Sequence, residues 1–180
     1  KDSSGNNLEG TCSIALDNDA FTDKAGNGNI ASSKFSWIFD DIDTRVTVYI
    51  DDKDYFVGTY DSNTDYGVAN TNTMKVHLYV DEPTSEIDLS NIVINAPKDI
   101  FEPYTFRQNN NSYQDYTLTM TLKENQDISS SISVYIPKDE FFDMAGNPND
   151  QSNTLTWLWD TKGPVITIDA DKVVNNGFSS

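Results

Sequence analysis

The sequence is short of the residues on which most site chemistry depends. It holds one cysteine, Cys12, and one histidine, His77, in 180 residues. A single thiol excludes an internal disulfide framework and any cysteine-based zinc site. A lone imidazole leaves no histidine zinc site either. Cations are also few, with 12 Lys and Arg against 29 Asp and Glu and a formal net charge of −17. Phosphate backbones and anionic membranes are bound through Lys and Arg, so this balance argues against both as partners. No apolar run is long enough to span a bilayer, and the residues from Lys1 onward do not read as a signal peptide. The chain opens in mid-pattern, which predicts a piece of something longer. No nucleophile elbow and no Gly-rich phosphate loop is visible. Paired carboxylates of the kind a glycosidase uses are expected without function at this acid density. The sequence therefore predicts a protein that is not an enzyme.

What is present is a sentence written twice. Residues 21–41 read FTDKAGNGNIASSKFSWIFDD, and residues 141–160 read FFDMAGNPNDQSNTLTWLWD. Asp23 falls on Asp143, Ala25-Gly26-Asn27 on Ala145-Gly146-Asn147, and Asn29 on Asn149. Phe35, Trp37, Phe39 and Asp40 fall on Leu155, Trp157, Trp159 and Asp160. The match continues upstream through Cys12, Ile14 and Leu16 onto Ile132, Val134 and Ile136. Downstream, Val46-Thr47-Val48 falls on Ile166-Thr167-Ile168. The offset is 120 residues throughout. An ungapped match over roughly 40 positions marks a tandem array with that period. Cys12 sits where the second copy has isoleucine, which predicts a small buried hydrophobe rather than a reactive thiol.

Between the copies the pattern is strand after strand. Val46 to Ile50 alternates. Met74, Val76, Leu78 and Val80 face one way while Lys75, His77 and Tyr79 face the other. Ile92 and Ile94 follow, then a Tyr104/Phe106 segment. Tyr116, Leu118, Met120 and Leu122 alternate with threonines, then Ile132, Val134 and Ile136, then Leu155, Trp157 and Trp159. No stretch has a useful helical period, and the turns are built from Asn, Asp, Gly and Pro. About seven short period-two strands in about 115 residues predict an all-β, Ig-like β-sandwich of antiparallel strands. Residues 1–43 are then the C-terminal strands of a preceding repeat, 44–160 a complete domain, and 161–180 the first strand of the following repeat. The Trp-x-aromatic pairs belong to the sandwich core. The end fragments offer a route to complementation between molecules by strand addition.

The run D-x-A-G-N-x-N, followed by x-W-x-aromatic-D-T-x-G-P-V-I-T-I, resembles the tandem bacterial Ig-like (Big-type) domains of large surface proteins and adhesins. VHLYVDEPTSEIDLSNIVI is similar to an early strand pair of that family. The first junction, DDIDTR, lacks the proline present at Pro164 in the second. The resemblance implies an extracellular or cell-surface stalk or filament element. Its partners would be neighbouring repeats of the same chain, with lateral or head-to-tail self-association possible. Asp23 and Asp143, with Asn27 and Asn147, are the positions that match the family motif.

So many carboxylates point to divalent cations, and Ca²⁺ takes six to eight oxygen ligands. In an Ig-like topology the loop Asp139 to Asn149 faces the linker arriving with Asp40, Asp41 and Asp43, and the Asp81-to-Asp88 loop crowds the same pole. The expected ligands for a junction Ca²⁺ are Asp40, Asp41, Asp43, Asp88, Asp143 and Asn147. Asp160, near Asp51, Asp52 and Asp54, would serve a second junction at the far pole. Two plainer readings stand beside this one. Acids keep a surface soluble, and the aspartate of D-x-A-G-N caps its own turn while Gly supplies a positive φ. Two other functions are open at this stage. One is a glycan- or receptor-binding module, if Tyr60, Tyr66, Tyr104 and Tyr113 form an exposed patch. The other is an accessory domain of a secreted enzyme. Asn110-Asn111-Ser112 is a glycosylation sequon that matters only in a eukaryotic secreted protein.

Overall fold

The structure is a computed structural model that describes residues 4–50, 56–61, 66–109 and 114–168. Among the described residues eleven strands are formed: β1 (Glu9–Ile14), β2 (Phe35–Asp40), β3 (Val46–Tyr49), β4 (Phe56–Asp61), β5 (Tyr66–Ala69), β6 (Thr73–Val80), β7 (Val93–Asn95), β8 (Thr105–Gln108), β9 (Asp115–Thr121), β10 (Ser129–Tyr135) and β11 (Leu155–Asp160). The described residues contain no α-helix, only a 3₁₀ turn at Leu89–Asn91.

Period-two alternation builds the main body. Along β6, Met74, Val76, Leu78 and Val80 are buried while Lys75 and Tyr79 are exposed and Thr73 and His77 half-buried. β9 repeats this with Tyr116, Leu118 and Met120 inward. β6 pairs antiparallel with β9 from Thr73↔Thr121 to Tyr79↔Asp115, and the sheet order is β3-β6-β9-β8. The second sheet has the order β4-β5-β11-β10-β7. All its pairings are antiparallel except β5 with β11, which is parallel through Leu158↔Val68 and Trp159↔Ala69.

The inner faces of both sheets meet in one core. Val48, Val76, Leu78, Leu118 and Met120 from the first sheet join Ile132, Val134, Leu155, Trp157 and Trp159 from the second. Burying each such side chain stabilises the fold by about 1.5–3 kcal/mol. The Trp159 ring packs on Phe101 and Trp157, and its Nε1–H donates to Thr71 O at 2.7 Å. The arrangement is sandwich-like. Asn153, just before β11, clasps β3 across the body: Val48 N donates to its Oδ1 at 2.8 Å, and its Nδ2 donates to Val48 O at 2.8 Å.

β1 and β2 form a separate two-stranded sheet, with Cys12 opposite Trp37. β10 and β11 place Ile132 opposite Trp157, the same register 120 residues on. The connecting loops share most of their hydrogen bonds. Asp19 N donates to Asn29 O at 2.9 Å and Asp139 N to Asn149 O at 3.0 Å. Ser32 N donates to Leu16 O at 2.9 Å and Ser152 N to Ile136 O at 3.0 Å. Asn29 Nδ2 donates to Asp17 O at 2.8 Å and Asn149 Nδ2 to Pro137 O at 2.7 Å. Gly26 and Gly146 both adopt the left-handed region, at φ 89° and 96°, where a Cβ is disfavoured.

Several expectations are corrected. Trp37 is not in a core. It is 44% exposed while Trp157 is fully buried, because no second sheet covers β1 and β2 among the described residues. Cys12 is half-buried for the same reason. Among the described residues of 44–160 there are nine strands rather than about seven. β4 and β5 were not expected, because the segment rich in Gly, Asn and Asp around them hides any alternation. Residues 161–168 form no strand and are largely exposed, and the remainder of that segment lies outside the described residues.

Candidate metal centre at the junction

Three chain segments meet where the hairpin hands over to the larger body. Asp40 ends β2, Glu82 follows β6, and Asp143 lies in the β10–β11 loop. The loops are tied by their backbones. Thr84 bridges Asp143, and Ser85 N donates to Phe142 O at 2.8 Å. Thr44 N donates to Pro148 O at 3.2 Å, and Asp150 N donates to Thr44 O at 2.8 Å. This locks the linker against the loop. Carboxylate oxygens of Asp40, Glu82 and Asp143 lie within 4.8 Å of one another.

Asp143 is buried and strongly committed to its turn. Its Oδ1 accepts from Ala145 N, Gly146 N and Asn147 N at 2.7, 2.6 and 2.8 Å, and its Oδ2 accepts from Asn147 Nδ2 at 2.8 Å. Exposed Asp23 makes the same kind of turn, accepting from Ala25 N at 2.8 Å and from Asn27 N and Nδ2 at 3.0 Å each. Those bonds from Asn27 and Ala25 hold its carboxyl below the usual carboxylate range. Turn capping is therefore common to both copies. What differs at Asp143 is company: Asn147 Nδ2 also donates to Asp40 O at 3.2 Å, tying the loop to the end of the hairpin.

Glu82 carries the strain of the cluster. Burial, then the charges of Asp143, Asp40 and Asp81, push its carboxyl up to about 7, against an opposing pull from the Thr44 hydroxyl. Thr44 is fully buried, and its Oγ has no hydrogen-bond partner of normal geometry, although it lies near enough to Glu82 to act on its charge. A cleft of about 300 Å³ opens beside the cluster, bordered by Glu9, Ile38, Asp40, Glu82, Pro83 and Met144.

The donor set suits a hard divalent cation. Three like-charged carboxylates, one of them raised toward neutrality, and a buried unsatisfied hydroxyl would all be relieved by one. Asp40, Glu82 and Asp143 would hold it, with Thr44 and the Asn147 amide oxygen as neutral donors.

The remaining expected ligands lie elsewhere. Asp41 accepts from Leu8 N within the hairpin. Asp43 pairs with Lys138 at 3.5 Å, which also pairs with Asp150 at 3.5 Å, and Asp43, Asp139 and Asp150 raise the Lys138 ammonium above its usual range. Asp88 caps the 3₁₀ turn by accepting from Ser90 N at 2.7 Å. Asp160 accepts from Lys162 N at 3.1 Å at the opposite end, and its expected neighbours Asp51, Asp52 and Asp54 lie outside the described residues, as does Asn110. Glu82 was missed because the sequence names its loop but not the residue. It lies outside the repeated stretch, and Asp88 offered the more familiar ligand type. No family model, curated protein or solved structure matches the chain.

Proposed function

We propose that this chain is a segment of an extracellular tandem Ig-like surface protein, a non-enzymatic stalk or filament element whose joints are stiffened by Ca²⁺. The observation that carries the reading is the hairpin of β1 and β2. It reproduces β10 and β11 in register and loop bonding and docks on the following unit through an acidic joint. The strand orders support the Ig-like assignment. β3-β6-β9-β8 corresponds to the A-B-E-D sheet of such domains and β7-β10-β11 to C-F-G. In this reading the hairpin closes a preceding repeat. The apolar face bearing Ile14, Phe35, Trp37 and Phe39 would be covered by that repeat's other sheet, as Val134, Leu155, Trp157 and Trp159 are covered in the complete unit.

The test is thermal unfolding of the chelated chain with Ca²⁺ restored, Mg²⁺ serving as the charge control. Saturating Ca²⁺ should raise Tm by about 5 °C or more. The rise should vanish in Asp40→Asn with Glu82→Gln. An absent shift, or an equal one with Mg²⁺, would leave the acids as a solvated surface and sink the calcium joint.

A further inference from the structure

The outer face of the β3-β6-β9-β8 sheet carries a feature at odds with the rest of the molecule. In a chain with 12 basic residues against 29 acids, two cations and the only histidine gather on one shallow groove of about 350 Å³. The register places them on neighbouring rungs of the same face, two residues apart along each strand. His77, Thr117 and Arg107 are aligned across β6, β9 and β8, and Lys75, Thr119 and Thr105 are aligned on the next rung. On β6 and β9 these side chains alternate with buried ones, and on β8 Thr105 and Arg107 flank half-buried Phe106, so all six point away from the core.

Neither Lys75 nor Arg107 forms an ion pair among the described residues, despite the abundance of carboxylates. Both are exposed. The groove floor is held in place. Asn109 Nδ2 donates to Thr117 Oγ at 2.9 Å, Thr117 Oγ lies 3.4 Å from His77 Nδ1, and the His77 ring stacks on Tyr49 with centroids 5.5 Å apart.

From this placement we infer that the groove binds a saccharide bearing a carboxylate or sulfate group. Lys75 and Arg107 would meet the oxyanion, and the hydroxyls of Thr105 and Thr119 would meet ring hydroxyls. Three arguments select this ligand. The space exceeds what a lone inorganic anion fills and reaches the lower range of small-ligand sites. Sheets take up peptides along an edge through free main-chain groups, whereas the residues named here line the sheet face, across β6 and β9 out to β8, with their side chains. A long polyanion would meet the repulsion of a chain whose net charge is −17, and a sugar of one or two charges far less of it. The groove is separate from the acidic joint, so its test and the calcium test fail independently.

The experiment is calorimetric titration of the chain with a disaccharide carrying one uronic acid. Its neutral methyl ester, sodium sulfate and a short Asp/Glu peptide are titrated alongside. Binding of the acidic disaccharide below about 10 mM is expected, with at least about tenfold weaker binding of the ester. Lys75→Gln and Arg107→Gln, both exposed and therefore expected to leave Tm unchanged, should each weaken binding by about tenfold, and together should abolish it. Equal binding of the ester, insensitivity to both substitutions, or no binding of the acidic disaccharide would overturn the inference. So would binding of sulfate or the peptide as tightly as the disaccharide.

Discussion

Glu82 is the residue whose behaviour most directly reports the joint. Its folded carboxyl titrates at about 7 against an ordinary value of 4.5, so the folded, metal-free state binds this proton more tightly than the unfolded chain does. The stabilising contribution of the protonated form is complete below the unfolded value and is lost as pH rises through the folded one. In chelator, wild type should therefore lose stability relative to Glu82→Gln between about pH 4.5 and about pH 7. The carboxyl is only partly buried, so solvent screening cuts the expected difference to about 1 kcal/mol. Denaturant melts of both proteins across that window check it, and parallel curves would show that Glu82 is not strained. Asp143 and Asn147 were legible in the sequence because repetition flags them. Glu82 and Thr44 were not, since a strained carboxylate and a buried hydroxyl beside it arise only when distant loops meet.

At the scale of the element, the loop between β10 and β11 hangs on Asn149, whose role the repeat marked without explaining. It is fully buried. Its Oδ1 accepts from Glu140 N and Phe141 N at 2.8 and 3.0 Å, and its Nδ2 donates to Pro137 O and Asp150 O at 2.7 and 2.8 Å. Removing the amide leaves one buried and three part-buried backbone groups without it, so Asn149→Ala should cost about 3 kcal/mol. Asn149→Asp keeps the shape but presents a buried oxygen to two carbonyls, and should cost at least as much at neutral pH. Asn29→Ala, in the exposed copy of the same loop, should cost less, because water can replace its bonds. Chemical denaturation of the three variants ranks them, and an Asn149→Ala cost no greater than that of Asn29→Ala would refute the assignment.

The strands around this loop were readable because alternation is a local signal. Val76, Leu78, Leu118 and Val134 face inward as their spacing predicts. β4 and β5 were not readable, because their place is set by pairing, β5 lying parallel to β11 across a long stretch of chain.

Across the whole molecule, the same apolar pattern meets two fates. Trp157 and Trp159 are sealed between sheets, whereas Trp37 on the hairpin is open. Acrylamide should therefore quench one fluorescence component in this chain, and Trp37→Phe should remove that component while leaving the protected emission. Equal quenching of all three tryptophans would contradict the arrangement. Sequence could assign Trp37 to a core-facing strand, but not whether a covering sheet lies above it, because that depends on partners rather than on pattern.

The clasp between Val48 and Asn153 bears on how the unit would answer a pull on its ends. Tension would enter at β3 and leave by β11. Asn153 ties the first strand to the segment leading into the last, and β5 runs parallel to β11, the strand by which tension would leave. Bonds set across a pull in this way are sheared together instead of being peeled one after another. The unit would therefore hold its length until a threshold force and then give way at once, as a latch does rather than a spring.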